Sequence, residues 1–185
     1  MTCSRLFASV VLAAVVTSGC SGHLVYPSGP FRGRVVDADT GQPLVGAAVV
    51  AAWFLEQPLA VHGTATAYDV VEILTDDNGE FVVPHQTHVT LVGSVNEPRI
   101  TIYMPGYGPY PGFQRAPKGE AMRTAFQELT VVRLVRAMTR EKRLEYLDWA
   151  WVSGVSEETI PNFSRLINGE RQLLGLQPTG RRGGE

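Results

Sequence analysis

The sequence predicts a mainly β protein, a sandwich of short strands followed by a C-terminal helical hairpin. Three observations predict it. Apolar residues alternate with polar ones, or run β-branched, over segments of five to nine residues between positions 31 and 135. Clusters of Asp, Asn, Gly and Pro separate those segments, as turns do. Only after Thr139 does the apolar spacing become that of a helix.

The chain opens differently. Residues 1–5 hold one base, Arg5, and no acid; Leu6 to Val16 are apolar apart from Ser9; Thr17-Ser18-Gly19-Cys20 follows. A short basic start, an apolar stretch and small residues before a cut describe a secretory signal. The stretch is shorter than the roughly 20 apolar residues of a membrane span. Its ending resembles that of bacterial lipoproteins, which implies that residues 1–19 are removed and Cys20 is acylated with palmitate-type chains. Ser21 after the cysteine implies an outer-membrane anchor facing the periplasm. The plainer alternative is an ordinary signal that leaves Cys20 as a thiol.

Cleavage would leave 166 of the 185 residues, enough for one domain with a core. Cys3 would leave with the signal, so Cys20 would have no partner for an internal disulfide. Arg5 also leaves, moving the formal net charge from −2 to −3. No basic run is long enough for a nucleic-acid footprint, and Arg181-Arg182 lies in a Gly-flanked end.

Residues 20–30 read as a linker of Gly, Ser and Pro. Strands are then expected at Phe31–Asp37, Ala47–Leu55, Tyr68–Thr75, Glu80–Pro84, Val89–Val95, Arg99–Tyr103 and Leu129–Val135. In the second, Val49, Ala51 and Trp53 share one face. Asp39-Thr40-Gly41-Gln42-Pro43 reads as a turn, and Asp76-Asp77-Asn78-Gly79 as a tight hairpin turn.

The run Gly33-Arg34-Val35-Val36-Asp37-Ala38-Asp39-Thr40-Gly41-Gln42-Pro43-Leu44-Val45-Gly46-Ala47-Ala48-Val49 resembles the opening of a carboxypeptidase regulatory-like domain. Thr75-Asp76, Asn78-Gly79-Glu80-Phe81 and Pro105-Gly106-Tyr107 follow in that family's order. The resemblance covers residues 31–107. It implies a seven-stranded, Ig-like (transthyretin-like) sandwich over 31–136, used as an accessory module without catalytic residues of its own.

Residues 137–177 read as a helical hairpin packed on the sandwich. Thr139 caps a first helix that runs to Ser153 with Gly154 as its stop; Ser156 caps a second, whose stripe is Ile160, Phe163, Leu166, Ile167 and Leu174. Leu144, Leu147, Trp151 and Val155 fall on one face of the first helix, and Tyr146, Trp149 and Ala150 on another. That pattern predicts a first helix buried on two sides, between the sandwich and the second helix. Residues 178–185 read as a disordered tail.

Few residues invite a chemical role. His85 and His88 sit three apart in an expected loop and His62 in another, but a metal site needs more ligands than these, and no metal or cofactor is expected. Residues 76–80 lack the alternating oxygens of a calcium loop. Neither Gly-x-Ser-x-Gly nor His-x-x-Glu occurs, so no catalytic residue is expected. The unusual stretch is 103–113, where Tyr103, Tyr107, Tyr110 and Phe113 are interleaved with Pro and Gly. Rigid aromatic faces on a loop suit sugar or peptide binding. The sequence thus points to a non-enzymatic, lipid-anchored envelope protein with a structural or interaction role. Its partners would be the membrane through Cys20 and an envelope protein or glycan.

Overall fold

The computed structural model describes residues 25–56, 67–91, 93–115, 126 and 129–179. The expected signal at residues 1–19, Cys20, His62 and residues 180–185 lie outside them. The chain is mainly β, with nine strands and two helices among the described residues. The strands are β1 (Val25–Ser28), β2 (Phe31–Asp37), β3 (Ala48–Glu56), β4 (Ala67–Leu74), β5 (Glu80–Val83), β6 (Gln86–Val89), β7 (Ser94–Val95), β8 (Arg99–Tyr103) and β9 (Thr130–Leu134). The helices are α1 (Arg140–Trp149) and α2 (Pro161–Leu173).

Two sheets face each other across one core. In the first, β2 lies between antiparallel β5 and parallel β9. In the second, β3 pairs antiparallel with β4 along one edge and with β8 and β7 along the other. The alternation expected of β3 holds: Ala47, Val49, Ala51 and Trp53 turn inward to meet Phe31, Val35, Phe81, Val132 and Leu134 of the first sheet. Its other face is buried as well, because Ala48 and Val50 pack beneath the helices.

Several expectations need correction. Part of the expected linker is structured, since β1 pairs with β6 in a separate two-stranded ribbon. The single strand expected over 89–95 is broken by Gly93 at φ 88°, where a Cβ would stand 2.4 Å from the Glu56 carbonyl oxygen. The Asn78-Gly79 turn makes no hairpin. It carries the chain from one sheet to the other, because β4 pairs with β3 and β5 with β2. A type I′ hairpin needs positive φ at both central residues, and only Gly79 has it. Asp76 holds this turn instead, its Oδ1 accepting from the Asn78 and Glu80 amides at 2.9 and 2.8 Å.

The helical layer also differs. Thr139 caps α1 as expected, its Oγ1 accepting from the Lys142 amide at 3.2 Å, but the helix ends at Trp149 rather than Ser153. The second helix begins at Pro161, where the missing N–H costs nothing, and not at Ser156. The sheet itself caps it: the Glu72 carboxylate on β4 accepts from the Asn162 and Phe163 amides at 3.0 and 2.7 Å. A carboxylate there also meets the positive end of the helix dipole. α2, rather than α1, lies on the sheet, through Ile160, Phe163 and Ile167 against Ala48, Val50 and Tyr103. α1 contributes Leu147 to that cluster, as does Ala150 just past its end, and buries Tyr146 against Phe113, while Trp149, expected on the same face as Tyr146, stays exposed. Arg143 of α1 grips Glu170 of α2 with both arms, Nε to Oε1 at 2.6 Å and Nη2 to Oε2 at 2.7 Å. Thr179, expected in the tail, donates to Asn168 Oδ1 through its amide and hydroxyl.

Candidate functional site

The aromatic loop folds inward. The Tyr110 amide and carbonyl bond Ile102 on β8, the Gly108 amide donates to the Val135 carbonyl, and the Arg115 amide donates to the Arg133 carbonyl. These bonds strap residues 104–115 along β8 and β9. Tyr103, Tyr107 and Tyr110 are buried, and Phe113 is half-buried. Tyr103 meets the Phe163 ring of α2 at a tilt, 5.6 Å between centres, Tyr110 meets Phe126 edge-on in the core, and Phe113 lies 4.5 Å from the Tyr146 ring. The stacking surface expected from these four residues is therefore not present. An apolar ring gains more from the core than from water.

The phenols are not poised for proton chemistry either. Burial pushes Tyr103 and Tyr110 above the usual phenol value, so both stay neutral at ordinary pH. Tyr107 is raised by burial and by its hydrogen bond to Asp37 Oδ2 at 2.8 Å. Burial pushes Asp37 up, but the amides of Thr40 and Asp39 and the Tyr107 hydroxyl outweigh it and hold the carboxyl below its ordinary value. Asp37 and Tyr107 thus tie the end of β2 to the loop after β8.

His88 is likewise not a loop residue. It is buried on β6, its Nε2 lies 3.0 Å from Asp69 Oδ2, and its ring rests between Trp53 and Tyr68. Its Nδ1 has no hydrogen-bond partner among the described residues. His85 is exposed, with Nδ1 3.2 Å from the Gly29 carbonyl oxygen. No group of three or more metal-ligating side chains occurs among the described residues.

What faces outward is a different aromatic set. Trp149 ends α1 and Trp151 follows it, and they are 61% and 60% exposed. Trp149 also meets the Phe113 ring edge-on at 6.2 Å. Trp151 walls a groove of about 380 Å³ with Val152, Ser153 and Pro111. Its floor is the outer face of the second sheet, where Ala52 and Phe54 of β3 lie beside Arg99 and Thr101 of β8. The Arg99 guanidinium sits 4.6 Å above the Phe54 ring. The groove therefore joins apolar walls with one cation. Such a surface can hold an extended peptide or a sugar ring, and among the described residues that line it there is no nucleophile–base pair.

No protein-family model, curated protein or solved structure matches this chain.

Of the four expected aromatic residues, Tyr110 alone lines this groove, and it is itself buried. Phe54 and Arg99 were not legible as neighbours, because pairing of β3 with β8 brings them together from distant positions, and Pro111 and Trp151 join them from the segments after β8 and after α1. One local signal existed. Trp149 and Trp151 stand two apart, which no single helix face can bury.

Proposed function

We propose that this chain is a non-enzymatic, lipid-anchored envelope protein that works by binding another envelope protein. Acylated Cys20 holds it at the outer membrane, facing the periplasm. In this reading the two-sheet body is an Ig-like, transthyretin-like sandwich of the carboxypeptidase regulatory-like kind, and β1–β6 and the helices are additions to its seven principal strands. The observation that carries the binding role is the pair of largely exposed tryptophans beside the Arg99 groove. Trp and Arg are the residue types that most often dominate protein interfaces. Large exposed aromatics on a folded surface are costly unless something covers them.

The test is photocrosslinking in cells with a photoreactive phenylalanine analogue in place of Trp151. A discrete protein adduct, lost in a Trp149→Ala background, is expected. Absence of any adduct in cells that carry the protein at its normal level overturns the reading.

A second reading follows from the Pro111 and Trp151 walls: the groove takes a glycan ring. Titrating cell-wall glycan fragments against tryptophan emission decides it, and an unchanged spectrum removes it.

A further inference from the structure

The β1–β6 ribbon lies at the end of the body where the described chain begins. Its inward residues support the core: Tyr26 packs against it and donates to the Gly93 carbonyl at 3.1 Å, and His88 lies against Trp53. Its outward residues are uncharged. Val25 and Val89 stand directly opposite one another at 51% and 57% exposure, and Leu91, two residues on, is 85% exposed. Tyr68 stands at the rim, half-exposed, its hydroxyl donating to the Val89 carbonyl at 2.7 Å.

The length of chain before the ribbon says what covers this face. Val25 is five residues after Cys20, so the two lie within about 18 Å even if the chain is fully extended. An acyl group on Cys20 lies in the bilayer, and the ribbon is then held at its surface. We propose that the outward face of the β1–β6 ribbon, formed by Val25, Val89 and Leu91 with Tyr68 at its rim, docks on the bilayer that holds acylated Cys20. This inference rests on the lipid-anchor reading above. The patch is too small to hold a free protein on a membrane. Tethering changes that, because it turns a weak contact into an intramolecular one at high effective concentration. Leucine and valine would enter the acyl boundary while tyrosine stays at headgroup level, where its ring and hydroxyl are both satisfied. The sandwich would then stand in one orientation rather than swing on its lipid.

The test uses the mature acylated protein in vesicles of phosphatidylethanolamine and phosphatidylglycerol. Leu91→Cys supplies a thiol for an environment-sensitive dye, since acylation blocks Cys20 and Cys3 is removed. Asp77→Cys, in the turn at the far end of β4, is the control. The dye on Leu91→Cys is expected to shift to the blue and to lose most of its intensity with brominated lipid, while the control does neither. Acyl chains found on Cys20 together with a dye on Leu91→Cys as solvent-exposed as the control overturn the docking alone. A mass spectrum showing no acyl chain on Cys20 overturns the anchor and the docking together. Brominated lipid that quenches Trp149 and Trp151 emission but not the dye places the bilayer at the helical side and overturns the proposal.

Discussion

The inner core and the helical layer share β3 but are held in different ways. Between the sheets, aliphatic and aromatic side chains meet with few polar groups; Thr75, which donates to the Leu44 carbonyl and accepts from the Ala47 amide, is one of the exceptions. Outside, a smaller apolar cluster is supplemented by two charged clamps, Glu72 on the end of α2 and Arg143 on Glu170. Burial that follows strand alternation is enough to hold two sheets. A single helix lying on a sheet presents a narrower stripe, so its position is fixed by directional contacts at its end and middle.

Four substitutions test this contrast, in falling order of effect. Trp53→Ala removes a fully buried side chain from the inner core and is expected to cost about 3–5 kcal/mol. Urea unfolding should show one transition shifted for both layers. Arg143→Ala is expected to cost about 3 kcal/mol, because Glu170 is only 2% exposed and would keep a buried charge without its partner. Hydrogen exchange should then quicken over 161–173 while β3 stays protected. Equal acceleration in β3 would show that the layers unfold together and break the contrast. Arg143→Met with Glu170→Leu should recover most of the loss.

Tyr107→Phe probes the one charged group buried at the end of β2, at about 1–2 kcal/mol near neutral pH. Asp37 has a depressed pKa when folded, so its contribution is full above the ordinary value of 3.8 and is lost as pH falls through the lower folded value. Tyr107 has a raised pKa, so its contribution is full below the ordinary 10.0 and is lost as pH rises through the folded value. The advantage of the natural chain over Tyr107→Phe should therefore shrink in acid, starting below 3.8. An advantage that stays constant into strong acid would mean that the bond does not depend on the carboxylate charge. The smallest effect is expected for Glu72→Gln, about 1 kcal/mol, seen as faster exchange at Asn162 and Phe163 alone.

The same contrast explains what was legible. Inner-core positions such as Val49, Ala51 and Trp53 could be read because a period of two writes burial into consecutive residues. The ribbon was missed because β1 and β6 are four residues each, with Pro27 in one and His88 in the other. Ser156 with Glu157 and Glu158 mimicked a helix start, whereas Pro161 marked the true one. The cap from Glu72 lies 90 residues from Asn162, and nothing local announces such a partnership. For the site, the aromatic composition of 103–113 was visible, but its direction was set by strapping to β8 and β9.

β3 has a consequence beyond the folded state. From Ala48 to Leu55 it carries no charge and no proline, and the fold covers both its faces and both its edges. An apolar, β-prone segment of this length is an aggregation hazard whenever it is bare. A chain that crosses a membrane unfolded must carry this segment uncovered until β4 and β8, on its two sides, have both emerged. Shielding of residues 48–55 before β8 is in place would then limit yield.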